Sequence, residues 1–412
     1  MSRAFLIVLD SAGCGGAPDA HAFFNDDTPD TGANTLGHIV RACADGRAEQ
    51  GRSGPLRVPN LDRLGLGAAL RLSTGIETPG LDATPTGMWG VATPSGPGKD
   101  TQSGHWELAG VPVPWKWHLF PKTDPAFPPD LIAGMARAAG TEGTLANCHA
   151  SGTAVISDFG AEHMRNGWPI CYTSADSVVQ IAAHEGVFGL ERLLAMCRRL
   201  APRLHAMRVG RVIARPFTGS PQGGFVRTSG RRDFAMAPPV PGLCDWVQAS
   251  GGRVLALGKI GDIFSMRGID ALRTGSDREL AGHLADLMAE APDNSLTFAN
   301  FVEFDARFGH RRDVSGYARA LEWFDGCLPG MIARARAGDM IVLTADHGND
   351  PTRSGTDHTR ERVPVLVHGV GPGEIGQCAF VDVAASVADH LGLAERGPGR
   401  SFLRRAGPGA RP

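Results

Sequence analysis

The chain has 412 residues, a length that suggests two or three domains at roughly 150 residues each or one large domain with an insertion, and its 42% hydrophobic and 20% charged residues are enough for a sizeable core. Lys+Arg 41 against Asp+Glu 43 leaves a net charge of -2, so no bulk basic charge draws it to nucleic acid or to an anionic membrane. No apolar run approaches the ~18 residues of a membrane span, and the first residues lack a secretory signal pattern.

In chain order, residues 4–9 form a continuous apolar run, predicting a strand buried on both faces. The run ends at Asp10 and meets the glycine-rich turn 11–16. The segment Lys99-Asp100-Thr101-Gln102-Ser103-Gly104-His105-Trp106-Glu107 follows a Gly-Pro-Gly and leads into a helix-like stretch at 106–109. From 118 to 239 the chain turns rich in Pro, Gly, aromatics and Arg. It shows one clear helix near 190–200 and one clear strand near 209–214. This predicts an inserted domain, 118–239, interrupting a core of 1–117 and 240–412. Four more strands are expected at 253–257, 296–304, 340–344 and 363–367. Helices are expected at 278–291, 315–335 and 380–391, and 404–412 is expected to fray. Alternation of strand and helix predicts an α/β fold with a mainly parallel sheet, whose C-terminal strand edge binds ligands. The eight cysteines are scattered, with no C-x2-C pair, and read as reduced thiols of a cytosolic protein.

Three predicted strands deliver acids at that edge: Asp10, Asp305 and Asp346. His310, His347 and His358 lie in the same loops. Singly, each Asp is as readily a helix N-cap and each His a solvated loop residue. Together, hard carboxylates and imidazoles suit Mn, Zn, Fe or Mg-like divalent ions, and six ligands suit two of them. Two such ions serve phosphoryl transfer. That chemistry needs a nucleophile, and Thr101 or Ser103 at a helix start is the candidate, with an N-cap role open for either and for Asp100. Arg211, Arg215, Arg231, Arg232 and Lys259 are candidate phosphate anchors or ordinary surface charges. The cluster Tyr172 to Ser177 either binds sugar hydroxyls or forms an Asx/ST turn.

These residues resemble the alkaline phosphatase superfamily and, within it, the prokaryotic phosphopentomutases. The resemblance is carried by Asp10, the Lys99–Glu107 segment, Asp305-x4-His310, Thr344-Ala345-Asp346-His347-Gly348 and Thr356-Asp357-His358-Thr359. Narrower stretches add to it, among them Gly160-Ala161-Glu162-His163-Met164, 172–177, 210–217, Gly258-Lys259-Ile260 and 308–313. It spans nearly the whole chain. It implies an alkaline-phosphatase-like core plus a smaller inserted α/β cap. It implies two Mn2+, other divalent ions being possible. One would sit on Asp10, Asp346, His347 and the Thr101 oxygen, the other on Asp305, His310 and His358. Thr101 would be the phosphorylated residue. The cap would bind the sugar phosphate through Ser174, Asp176, Arg215, Arg231 and Lys259. The implied reaction interconverts ribose 1-phosphate and ribose 5-phosphate, and the 2-deoxyribose pair, through a 1,5-bisphosphate. Glucose 1,6-bisphosphate or ribose 1,5-bisphosphate would be the activator. Three carboxylates against two divalent ions leave about one positive charge, which a phosphothreonine offsets.

Ser103 stands where the family commonly has Thr, Arg232 where it commonly has His, and Phe234 where Tyr or an apolar residue is usual. At Ser103 the hydroxyl and its hydrogen-bonding role survive; Arg232 and Phe234 touch substrate positioning, and the ligand set has no gap. The leading alternative is a metal-dependent phosphomonoesterase of the same superfamily. A sulfatase would need a C/S-x-P-x-R context that Thr101-Gln102-Ser103-Gly104 lacks. A cofactor-independent phosphoglycerate mutase would carry a Ser nucleophile close to Asp10. A sugar-phosphate binding protein without turnover would show a broken ligand or a missing hydroxyl.

Overall fold

The computed structural model describes residues 2–174 and 176–403. The stretch expected to fray and Ala175 of the 172–177 cluster lie outside the described residues. The chain divides into two compact units, 1–114 with 238–412 and 115–237. The second unit thus begins three residues before, and ends two residues before, the sequence-based boundaries. Trp115 and Trp117 explain the earlier start. They pack edge to face at 5.8 Å, and Arg208 lies 6.0 Å from the Trp115 ring.

The first unit is built on an eight-stranded sheet. Its order is Ala271–Arg273, Arg253–Leu257, Ser295–Phe301, Arg3–Leu9, Met340–Thr344, Val363–His368, Met88–Thr93, Gly373–Ala379. All of these run parallel except Val363–His368, which is antiparallel to both neighbours. The Arg3–Leu9, Ser295–Phe301 and Met340–Thr344 strands are buried along their whole length, as continuous apolar runs flanked by helices should be. Even Arg3 is buried. Its guanidinium bonds bidentately to Asp339 at 2.9 and 2.5 Å and donates to Ala291 O and Met288 O. The strand therefore starts one residue earlier than its apolar run, because a fully paired Arg can be buried. Helices Asp277–Glu290, Val314–Ile332 and Phe380–His390 match the expected positions to within three residues.

The central placement of these three strands decides the site. Their C-terminal ends are neighbours, with Asp10 N donating to Phe301 O at 3.2 Å. The loops that follow therefore converge on one edge.

The second unit is richer than its sequence indicated. Among the described residues it holds helices Pro129–Ala139, Gly152–Asn166 and Leu190–Ala206 and a six-stranded sheet. The one strand foreseen, near 209–214, is Arg211–Ser220, and the helix foreseen near 190–200 runs to Ala206. Alternation along the strands sends Val179, Ile181, Ala183, Val212 and Ala214 to one apolar layer and Ile170, Tyr172, Ala182 and Phe217 to the other. Of the missed strands, four run four or five residues, too brief for a period-2 signal, and the seven-residue Val178–His184 is buried on both faces and so does not alternate. No helix among the described residues is long and apolar enough to cross a membrane.

One buried acid gives a stability test. Asp277, the first residue of its helix, accepts from Glu303 N at 3.1 Å, while its Oδ1 is buried without a partner. Burial, then the charge of Glu303, pushes its carboxyl up to about 7. Between its ordinary value and 7 the folded chain holds a proton that the unfolded chain has lost. Stability therefore falls as pH rises through that window and is flat above it. Asp277→Asn is expected to melt roughly 5 °C above the parent at pH 8 and level with it at pH 4. A difference that does not vary with pH would show that Asp277 does not titrate in this window.

Candidate metal centre and nucleophile

The loops after the three central strands bring two groups of donors together, Asp10 with Asp346 and His347, and Asp305 with His347 and His358. Within each group the donor atoms lie within 4.8 Å of one another. His347 faces both groups, where the resemblance assigned it to one. His310 is at the second group. Its Nε2 is 3.0 Å from Asp305 Oδ2 and 3.2 Å from His358 Nε2.

The imidazoles share one arrangement. Nδ1 of His310 reaches Thr356 O at 2.5 Å, Nδ1 of His347 reaches Gly348 O at 3.0 Å, and Nδ1 of His358 reaches Lys99 O at 3.0 Å. A carbonyl only accepts, so each Nδ1 carries the hydrogen and each Nε2 presents a lone pair. Two lone pairs facing each other 3.2 Å apart, as at His310 and His358, repel unless a cation lies between donors. The carboxylates point the same way. Ser11 N donates to Asp346 Oδ1 at 3.1 Å and Asn300 Nδ2 to Asp10 Oδ2 at 2.9 Å. The other oxygens, Asp10 Oδ1 and Asp346 Oδ2, are buried without hydrogen-bond partners. Burial, reinforced by the charges of Asp346 and Asp305, raises the Asp10 carboxyl well above its usual range. Orphaned carboxylate oxygens beside outward lone pairs fit divalent cations.

Local structure sets these orientations. Ser11 takes a left-handed φ of +66°, which turns its N–H onto Asp346. The expected strand over 296–304 ends at Phe301, and Asp305 sits in the wide helical turn Phe304–Gly309. There Asn349 Nδ2 holds Asp305 Oδ1 at 2.7 Å. Arg312 ties that turn to the His358 loop, donating to Asn349 Oδ1, Gly355 O and Asp357 O.

The nucleophile helix is Thr101–Leu108, longer at its start than the sequence indicated. Asp100 is its N-cap, accepting from Ser103 N at 2.9 Å and from Ser103 Oγ at 2.8 Å. This settles the open cap assignment. The Ser103 hydroxyl is spent on Asp100. Thr101, at the first helical position, places its Oγ1 3.2 Å from His347 Nε2. Gly104 allows this approach, since a Cβ there would lie 2.1 Å from Asp346 O. Glu107 accepts from Ser95 N, Ser95 Oγ and Gly96 N, holding the loop that precedes the helix.

The sequence-predicted substrate residues divide between the units. Lys259, grouped with the cap on sequence, belongs to the first unit. Gly258, at φ +73° and packed on Asn300 O, turns the chain so that the Lys259 charge acts on Asp10. The sequence-based boundary at 239 already left Lys259 in the core, and only its grouping with the cap residues as a phosphate anchor changes. Ser174, Asp176, Arg215 and Arg231 are in the second unit. There Arg215 Nε donates to Gln180 Oε1 at 2.6 Å, Gln180 Nε2 to Ser174 Oγ at 3.3 Å, and Arg211 to Asp176 at 3.2 Å. Arg231 forks onto Asp233 at 2.8 Å. Tyr172 Oη, beside Arg215, is buried without a partner.

Sequence reasoning missed Asn300 and Asn349. A signal existed for Asn300, a lone amide inside the buried strand Ser295–Phe301. Asn349 was hidden among polar neighbours.

A metal-dependent enzyme of the α/β class is what this sheet edge defines, and comparison with known proteins agrees. The sequence profile of the Metalloenzyme superfamily matches residues 2–395, and the chain belongs to that superfamily. It is 54% identical, over 98% of its own length and 100% of the relative's, to a phosphopentomutase of Methylobacterium sp. (strain 4-46). It is 50% identical, over 98% and 100%, to a phosphopentomutase of Rhizobium meliloti (strain 1021). Within the superfamily the chain is a member of the phosphopentomutase family, an isomerase rather than the alternative phosphomonoesterase. A solved Pyrococcus horikoshii protein is similar at a TM-score of 0.47 and 12% identity, over 95% of this chain and 98% of that one.

Proposed function

We propose that the chain interconverts ribose 1-phosphate and ribose 5-phosphate, and the 2-deoxyribose pair, with Thr101 as the phosphoryl carrier. The observation that carries this reading is the Thr101 hydroxyl at the first position of a helix, 3.2 Å from His347 Nε2 and beside two donor groups. Phosphothreonine 101 hands its phosphoryl group to the free hydroxyl of the pentose monophosphate, giving a 1,5-bisphosphate and a free Thr101. The other phosphoryl group then returns to Thr101, and the isomeric monophosphate leaves. Glucose 1,6-bisphosphate or ribose 1,5-bisphosphate primes the threonine.

Two divalent ions, Mn2+ in this reading, would be held by Asp10, Asp346 and His347 and by Asp305, His310 and His358, supplying charge neutralisation for the phosphoryl group and activation of the hydroxyl. The helix start adds the positive end of the dipole to the phosphothreonine. Asp100 keeps that helix capped, and Ser103 keeps Asp100 in place. Lys259 offers a further positive charge beside Asp10. In the inserted unit Arg215, Arg231, Ser174 and Asp176 bind the sugar phosphate, with Gln180 fixing the direction of Arg215. A cytoplasmic setting suits eight free thiols.

Arg215→Ala is expected to raise KM for ribose 5-phosphate about 10- to 100-fold with a smaller change in kcat, the cost of losing charge-assisted bonds to phosphate. Lys259→Ala should act in the same direction. An unchanged KM in either variant removes that residue from the phosphate site.

The reading itself is tested by product analysis. The protein is incubated with ribose 1-phosphate, Mn2+ and a trace of glucose 1,6-bisphosphate, and the products are separated by chromatography. Ribose 5-phosphate with little free phosphate is expected. Free phosphate as the main product would make this a hydrolase on the same donors.

A further inference from the structure

His105 is fully buried four residues after Thr101, stacked on Phe298 at 6.0 Å between ring centres. Its Nδ1 is 2.8 Å from Thr101 O and 3.0 Å from Asp346 Oδ2. Both partners only accept, so Nδ1 carries a hydrogen. That hydrogen is aimed at the Thr101 carbonyl, and Asp346 Oδ2 receives no directed bond. On the other side of the ring, Nε2 is 3.1 Å from Asn300 Nδ2. The same Asn300 nitrogen is 2.9 Å from Asp10 Oδ2.

These contacts admit one assignment. Asp10 Oδ2 accepts, so the near end of the Asn300 amide is its NH2 group. The second hydrogen of that group meets His105 Nε2, which is therefore the acceptor. The ring is then the neutral Nδ1–H tautomer, and Nδ1 is free to donate to Thr101 O. Rotating the amide would set its oxygen against a carboxylate. A second proton on the ring would set N–H against NH2. Asn300 Oδ1 is left buried without a partner, a cost that an apolar residue in this buried strand would not carry.

We infer that His105 and Asn300 form a neutral relay that holds the Thr101 backbone in register with the Asp10–Asp346 carboxylates, making both positioning residues for phosphoryl transfer. The inference rests on the nucleophile and metal assignments above. The relay orients Asp10 through Oδ2 and leaves Oδ1 bare, while Ser11 N does the same for Asp346 from the other side. A Lys or Arg could orient the carboxylates equally well, but its charge would compete with a cation for them. A neutral relay fixes direction and leaves the negative charge available. It also links the two halves of the chemistry, since the helix that carries Thr101 is tied through one ring to the carboxylates beside it.

The test uses His105→Ala, His105→Asn and Asn300→Ala in the full chain, each checked for folding by its thermal transition. Mn2+ binding to the dephosphorylated protein is measured by calorimetry without substrate, and kcat and KM for ribose 5-phosphate are measured separately. Both alanine variants are expected to bind Mn2+ about 10- to 100-fold more weakly and to lose a similar factor in kcat, with KM within about threefold. In His105→Asn the amide nitrogen occupies the place of Nδ1, so at least about tenfold of kcat should return relative to His105→Ala. Wild-type Mn2+ affinity in the alanine variants, a rise in KM without loss of kcat, or equal kcat in His105→Asn and His105→Ala would each overturn the relay. If His105→Ala does not fold, Asn300→Ala carries the same expectation alone. Because Mn2+ binding is read without substrate, the relay stands or falls separately from the product analysis.

Discussion

Thr101→Ala takes up no phosphate from glucose 1,6-bisphosphate, as read by intact mass, while the parent gains one phosphoryl group; this is the expected result with the largest effect. Mutase activity should fall by more than about 10^4-fold, because the variant lacks the hydroxyl that carries the group between sugars in this reading. Ser103 is the nearest rival, and its hydroxyl already donates to Asp100 at 2.8 Å. The variant should still bind two divalent ions, since none of the six protein donors changes. Thr101→Ser should recover part of the activity, because it restores an oxygen at the same helical position. Phosphate uptake by Thr101→Ala at the parental level would exclude Thr101 as acceptor.

The second large effect concerns the donors. Asp305→Ala and Asp346→Ala are each expected to reduce bound Mn2+ from two ions to one and to abolish turnover. Each removes a carboxylate from a different three-donor group. Imidazoles alone remain in the Asp305 group, and one carboxylate, Asp10, in the Asp346 group, so neither group recovers the lost charge. Metal content after gel filtration measures this directly. Two ions retained in either variant would refute the assignment of that carboxylate. Chelation of the parent should lower its melting temperature, since cations bound only to the folded chain stabilise it by mass action, and re-adding Mn2+ should restore it. Without cations, burial first and then the charges of Asp346 and Asp305 push Asp10 toward protonation.

Much of this site could be read from local chemistry. An apolar run that stops at an acid is a buried strand delivering a ligand to the sheet edge, and Leu9–Asp10 and Thr344-Ala345-Asp346 obey that rule. Thr101 or Ser103 was legible as a hydroxyl at a helix start, but the choice between them, the cap role of Asp100 and the close approach of Gly104 to Asp346 O were not. Asp305 was legible as an acid after a strand, but its geometry was not. It lies in a wide helical turn held by Asn349 from another loop and by Arg312, which follows the turn and bonds it to the His358 loop. The inserted unit was the least legible part. Four of its strands run only four or five residues, too few to display a period, and the seven-residue Val178–His184 is buried on both faces and so does not alternate; their pairing is what defines them.

By itself, then, the sequence determined which residues carry charge, lone pairs and hydroxyls, and where apolar runs must break to release them, because those properties belong to single residues and their immediate neighbours. Only the tertiary structure decided that three strands far apart in the chain lie side by side, that His347 faces both donor groups, that Lys259 belongs with Asp10, and that Asn300 turns its amide between Asp10 and His105. Those outcomes depend on strand order and on packing between segments hundreds of residues apart, which no local pattern encodes.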